Sequence, residues 1–310
     1  MNANRIVSLL PSSTEIVCAL GFRDRLVGRS HECDFPPGVA ELPVCTEPKV
    51  DLSGTSYEID QKVKAILEQA TSVYRVFAEV LDELRPDVIV TQSQCDVCAV
   101  SLKDVEAAVC NFVGSRPTLV SLEPNSLDDL WQDFRKVARA LGVPERGEQL
   151  VSHCRARMAE VANRVKQAGA ARPRVATIEW IDPPMAGGNW MPTLVEMAGG
   201  ENLFGKAGEH SPWLEWEDVV AADPDYLLIL PCGFGIERTE RELPALSARE
   251  GWSELRAVRE GRVYLTDGHH FFNRPGPRVV ESLEILAEIL HPGLFEFGHE
   301  GSGWKRLPGR

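Results

Sequence analysis

Short apolar runs, each ending in a polar loop that leads into a helical pattern, most constrain what this chain can fold into. They read RIVSLL, DVIVTQ and TLVSLE in the first half and RVATIEW, YLLILP and RVYLTD in the second. Unbroken apolar runs suit strands covered on both faces, and their alternation with helices implies α/β layers with mainly parallel strands. Two pairs of segments also match across the halves. Thr14-EIVCAL-Gly21 parallels Thr193-LVEMAG-Gly200, each a helix expected to open on Thr and close near Gly. EVLDELRPDVIVTQSQC parallels WEDVVAADPDYLLILPC: an amphipathic helix, a Pro-Asp stop, then a strand reaching a cysteine-bearing loop. The expectation is two similar α/β lobes, residues 1–125 and 173–310. A helical connection over 126–172 joins them, with one long helix near Glu145–Ala168 acting as a stiff strut.

Charge and patterning exclude several functions. A net charge of -13 over 310 residues opposes a polyanionic partner, so nucleic acid is excluded. No apolar run approaches the ~20 residues that span a bilayer, which argues against membrane insertion. The start, MNANRIVSLLPSSTEIV, breaks its apolar run at Pro11 and so lacks a secretory pattern. The expected location is cytoplasmic, or periplasmic if the start site is misassigned. The eight cysteines are scattered, and reduced thiols are the expectation for them.

In open parallel sheets ligands bind beyond the carboxyl ends of the strands. The unusual residues fall there: PSSTE, HECDF, QSQCDVC, WIDPPMAGGNW, CGFG and HHFFNRPGP. Ser13 or Thr14 reads first as a helix cap, with anion binding as the second use of that turn. In HECDF, a solvated loop and a ligand contact weigh equally for His31 and Cys33, and Glu32 between them joins the candidate ligand set. Trp180 and Trp190 flank a loop, DPPMAGGN, with too few apolar neighbours to bury both, so a ligand-facing role is expected. In His269-His270-Phe271-Phe272 one member of each pair is expected to pack inward and the other to face the ligand, while Arg274-Pro-Gly-Pro reads as structural. Gln92, Phe234, His270 and Phe271 complete the candidate ligand set.

Cys95 and Cys98 cannot alone fill a zinc shell, and there is no second CxxC. Three readings stay open: small packed residues beside the ligand, a composite site in which the dithiol, His31 or Cys33, and Cys232 meet a soft or ligand-borne metal, or a redox dithiol at a helix start. No phosphate-loop, dinucleotide, nucleophile-elbow or zinc-protease motif is present, so no catalytic residue is assigned.

RIVSLLPSSTEIVCALGFRDRLVG, RPDVIVTQSQCDVCAVS, TLVEMAGGENLFG, ADPDYLLILPCGF and REGRVYLTDG resemble, in order and over nearly the whole chain, the cobalamin and iron-siderophore substrate-binding proteins of ABC transporters. The likeness is greatest to a cobalamin-binding-protein-like subgroup with TQxxCxVCAVS and HECD. The resemblance implies a bilobal fold on a rigid helical backbone and a small-molecule ligand held between the lobes. That ligand would be a corrinoid such as cobalamin, haem or another metal chelate, and an ABC permease would be the partner if the chain is exported. The favoured expectation is a non-enzymatic binding protein with Trp180, Trp190, Phe234 and Phe271 as apolar contacts and His31 or His270 as coordinating or hydrogen-bonding groups. The alternative is a cytoplasmic metal- or thiol-dependent enzyme using Cys95, Cys98 and His31, with Glu32 or Glu179 as acid or base.

Overall fold

The computed structural model describes residues 4–68, 73–93, 102–109 and 116–308. By contact the chain divides into two compact units: Met1–Gly54, Gln61–Pro124 and Asp128–His153 in the first, and Thr55–Asp60, Asn125–Leu127 and Cys154–Arg310 in the second. The expected helical connection is therefore shared between the units. No helix among the described residues is long and apolar enough to cross a membrane.

Up to Ala168 the elements run β1 (Ile6–Ser8), α1 (Pro11–Ala19), β2 (Leu26–Arg29), β3 (Thr46–Pro48), α2 (Ser56–Leu67), β4 (Tyr74–Val76), α3 (Ala78–Leu84), β5 (Val88–Gln92), α4 (Leu102–Val109), β6 (Thr118–Leu122), α5 (Leu127–Ala140) and α6 (Pro144–Ala168). β2, β1, β5 and β6 form one parallel sheet in that order, with Ile6 opposite Val88 and Val88 opposite Thr118. Every residue of β5 is buried, which accounts for its unbroken apolar run. Val7, Ile89, Leu81 and Val105 pack in the core of this sheet and its helices. β3 and β4 pair separately as an antiparallel ribbon, Thr46 opposite Val76.

From Arg174 onward come β7 (Arg174–Trp180), β8 (Met185–Ala186), α7 (Met191–Met197), β9 (Glu201–Asn202), α8 (Trp216–Ala222), β10 (Tyr226–Ile229), α9 (Ile236–Glu242), α10 (Pro244–Ser247), α11 (Arg256–Arg259), β11 (Val263–Thr266), α12 (Val279–Leu290) and β12 (Trp304–Arg306). The sheet order is β12-β11-β10-β7-β8, with β9 on β7; β7, β10 and β11 are mutually parallel, and β8 and β12 are antiparallel additions. Ile178, Leu227, Ile229 and Leu265 share its core with the stacked pair Trp216 and Trp252.

The internal likeness read from the sequence is physical. α3 and α8 each end on a non-glycine residue in the left-handed region, Arg85 (φ 44°) and Asp223 (φ 40°), immediately before Pro-Asp. The following aspartates then do the same work in each unit. Asp87 accepts the backbone N–H groups of Asn4 and Arg5 at 2.8 and 3.0 Å, and Asp225 accepts that of Arg174 at 2.9 Å. Each clasps the start of its unit's leading strand. Burial pushes the Asp225 carboxyl up, but the Arg174 N–H and the Arg256 guanidinium prevail and hold it below the usual carboxylate range.

The helix starts differ from expectation. α1 opens at Pro11, two to three residues before the expected cap, and α7 opens at Met191 with Pro192 in its first turn. Proline has no N–H to donate and its φ is already helical, so the first turn forms there without a side-chain cap. The expected closures are present, with Gly21 (φ +85°) and Gly199 (φ +80°) adopting the left-handed conformation that side chains disfavour.

Candidate functional site

In the second unit the parallel strands β7, β10 and β11 deliver their following loops to one edge of the sheet, the edge at which such sheets bind ligands. Trp180 is the last residue of β7 and is half-buried. Its ring lies 5.3 Å from that of Phe234, tilted by 55°, and Phe234 is in turn covered by the Arg238 guanidinium at 3.8 Å from its centre. The Trp180 Nε1 is buried and has no hydrogen-bond partner among the described residues. A buried N–H in that state carries a desolvation cost of about 1–3 kcal/mol, which an acceptor brought by a ligand would relieve. The neighbouring Glu179 carboxylate is engaged, accepting the Ser211 hydroxyl at 2.9 Å, and the Glu179 carbonyl accepts the N–H of exposed Cys232 at 3.0 Å.

Beyond β11, Asp267 organises the histidine loop. Its Oδ1 accepts the backbone N–H groups of His269 and His270 at 2.9 and 2.8 Å, and its Oδ2 pairs with His270 Nδ1 at 2.8 Å. Burial pushes this carboxyl up, but the His270 side-chain and backbone hydrogen bonds outweigh it and leave it below the usual range. His269 Nε2 accepts from Arg274, which is itself buried, in keeping with the structural reading of that turn. Phe271 is half-buried under the Arg278 guanidinium (5.4 Å) and beside the His299 ring, whereas Phe272 is fully buried with φ 49°.

Trp190 departs from expectation. It is only 5% exposed, and its Nε1 donates to the Phe272 carbonyl at 2.9 Å. The loop DPPMAGGN offers few apolar neighbours of its own, yet Trp190 is a buried residue whose polar edge is satisfied by the distant Phe272 turn. Phe234 is likewise buried, at 2% exposure, and stands behind Trp180.

In the first unit the candidates are Ser13, His31, Glu32 and Gln92. Ser13 is fully buried, its hydroxyl donating to the Leu10 carbonyl at 3.0 Å and lying 2.5 Å from Ser8 Oγ, so it braces the strand-to-helix turn from within. Gln92 closes β5 and is buried. His31 Nδ1 meets Thr46 Oγ1 at 2.9 Å, and its ring lies 5.4 Å from that of Tyr74, on the partner strand of the β3 and β4 ribbon. Burial first, and then the Arg29 charge, lower the His31 pKa, so the imidazole is neutral at neutral pH. His31 Nε2 is buried without a hydrogen-bond partner among the described residues; the Glu32 carboxylate stands 4.0 Å away, beyond hydrogen-bond reach. Cys33 is buried between the Thr14 and Ser30 hydroxyls, and burial pushes its thiol up, away from reactivity. Cys95 and Cys98 lie outside the described residues, and the other two members of the expected metal set, His31 and Cys232, belong to different units.

Asp267, Thr46 and Arg238 were not among the sequence candidates. Asp267 was legible as an acid three residues before His270, and Arg238 as a cation four residues after Phe234; Thr46 reaches His31 only through the folded ribbon.

Residues 6–269 match the periplasmic binding protein family. An uncharacterized ABC transporter substrate-binding lipoprotein of Bacillus subtilis is 24% identical over 296 residues, covering 94% of this chain and 81% of that protein. The vitamin B12-binding protein of Vibrio cholerae is 22% identical over 289 residues, covering 93% and 89%. Among solved structures, a periplasmic haem-binding protein from Pseudomonas aeruginosa superposes with a TM-score of 0.69 at 21% identity over 99% of this chain and 96% of that one, a likeness of fold. With a family match that spans residues 6–269, most of its length, this chain belongs to the periplasmic binding protein family.

Proposed function

We propose that the protein binds a metal-containing macrocycle of the corrinoid type, as cargo and without chemistry upon it. The observation that carries this reading is the half-buried Trp180 ring, backed by buried Phe234, whose buried indole N–H has no partner among the described residues. A flat ring system carrying polar substituents would cover the face and supply the acceptor. Relatives whose names specify vitamin B12 or haem support the choice of ligand class. On this reading His270, steadied by Asp267, contacts the ligand or its metal, and His31, neutral and with a buried ring nitrogen, is the candidate contact of the first unit. A permease would take the cargo in an ABC transporter, in line with the Bacillus subtilis relative.

Calorimetry and absorbance titration of the purified protein with cobalamin, cobinamide and haem test the reading. Saturable heat with a shift of the corrinoid absorption bands is expected, and the response should weaken on substitution of Trp180 or of His31. Silence with both cobalamin and cobinamide overturns it, whatever haem does.

A further inference from the structure

Wholly within the second unit lies a surface pocket of about 340 Å³, lined among others by Gly235, Glu237, Arg238, Arg241, Asp267 and Ser302. Small-molecule pockets run from ~300 to 1,000 Å³, so this one suits a substituent and is too small for a macrocycle. Two of its walls hold residues assigned above to the ligand. Arg238 stacks on Phe234, and Asp267 pairs with His270. Through Arg238 the pocket neighbours Phe234, the ring that backs Trp180, and through Asp267 it neighbours the histidine loop.

Its charge pattern is selective. Two guanidinium groups, Arg238 and Arg241, are matched by two carboxylates, Glu237 and Asp267, so the lining has no net formal charge. Asp267 is already committed to His270 and two backbone N–H groups. A free carboxylate or phosphate entering here would gain from the arginines and lose against the acids. An alkyl group would find Ile236 but would strip water from the charged side chains without replacing their hydrogen bonds. A primary carboxamide carries one acceptor oxygen and two N–H donors, which match the guanidinium groups and the Glu237 carboxylate together.

We propose that this pocket receives a carboxamide arm from the rim of the ligand, so that the cargo is an amide-rimmed corrinoid and not a macrocycle edged by free carboxylates. The inference rests on the reading that Trp180, backed by Phe234, binds the ring.

Gly235 provides the test. Its backbone is extended (φ -75°, ψ 172°) and a Cβ there would meet nothing within 4 Å, so Gly235→Leu fills the pocket without backbone strain. Gly301, also in the lining, has φ +84° and is unsuitable. Affinities are measured by calorimetry for cobinamide and for the same corrin with its amide arms hydrolysed to carboxylates. The wild-type protein should favour cobinamide by about tenfold or more, and Gly235→Leu should abolish that preference while melting at the wild-type temperature. Arg241→Met and Ser302→Ala, both at exposed positions, serve if Gly235→Leu does not fold, and each should weaken cobinamide by roughly three- to tenfold. Equal affinities in the wild type, a preference for the carboxylate corrin, or cobinamide binding indifferent to every pocket substitution overturns the pocket assignment alone. Failure of both corrins to bind overturns the proposed function, and the pocket assignment falls with it.

Discussion

The rings of Trp180 and Phe234, 54 positions apart in sequence, lie 5.3 Å apart where the loops after β7 and β10 meet, with the Arg238 guanidinium against the far ring. Phe234 is buried and Trp180 half-buried, so Trp180 presents the surface and Phe234 backs it. Trp180→Phe keeps an aromatic ring and removes the N–H that has no partner among the described residues. If that N–H binds the ligand, this variant should lose about tenfold in cobinamide affinity, and Trp180→Ala considerably more. Calorimetry on both variants separates the hydrogen bond from the apolar contact, and equal losses would remove the indole N–H from the account.

Asp267 should make the protein's stability acid-sensitive. Its folded-state pKa lies below the unfolded value, so the stabilisation is complete above the ordinary aspartate range and is lost as pH falls through and below it. Urea unfolding between pH 7 and pH 3 should show a steeper acid loss for the wild type than for Asp267→Asn. The variant also cannot hold the His270 ring as a carboxylate does, so it should weaken ligand binding at neutral pH if His270 takes part.

Asp133 has the opposite sign. It is 5% exposed on α5 and accepts the Glu123 N–H at 3.0 Å. Burial raises its pKa to about 7, against the smaller opposing effect of that N–H. With the folded pKa above the unfolded one, stability should fall as pH climbs from the ordinary aspartate range through about 7, and then level off. Asp133→Asn keeps an acceptor for Glu123 and removes the buried charge, so it should be more stable than wild type at pH 8, by up to a few kcal/mol, on the order set by the shift. Melting curves at pH 5 and pH 8 check this, and an Asn variant that is no more stable at pH 8 would contradict it.

Trp190→Ala should act on the fold. Loss of a buried tryptophan typically costs ~3–5 kcal/mol, and here it also leaves the Phe272 carbonyl without its indole donor. Denaturant unfolding should show that cost. A variant of wild-type stability with selectively weakened ligand binding would return Trp190 to the ligand wall.

The α/β class, the principal parallel strands and the long helix were legible in the sequence, because strands covered on both faces must be apolar throughout and helices keep their own period. The repeated helix, Pro-Asp and strand unit was legible too, since the proline stop and the aspartate clasp are local chemistry. The short edge strands β8, β9 and β12 carry no pattern of their own and exist only through their neighbours. The start of α1 was misplaced because Ser13 and Thr14 are good caps in isolation, while Pro11 already sets the helical turn.

By itself, then, the sequence determined the layers, the internal repeat and the loops in which polar and aromatic residues collect, all of which follow from spacing along the chain. Tertiary structure alone decided which of those residues are available. Trp180 and Trp190 look equivalent in a loop poor in apolar residues, yet Trp190 is buried and donates its N–H to the carbonyl of Phe272, 82 positions away. His31 and Asp133 likewise owe their shifted pKa values to burial by groups brought to them in the fold. Burial and hydrogen-bond pairing depend on distant neighbours, and local pattern carries no record of them.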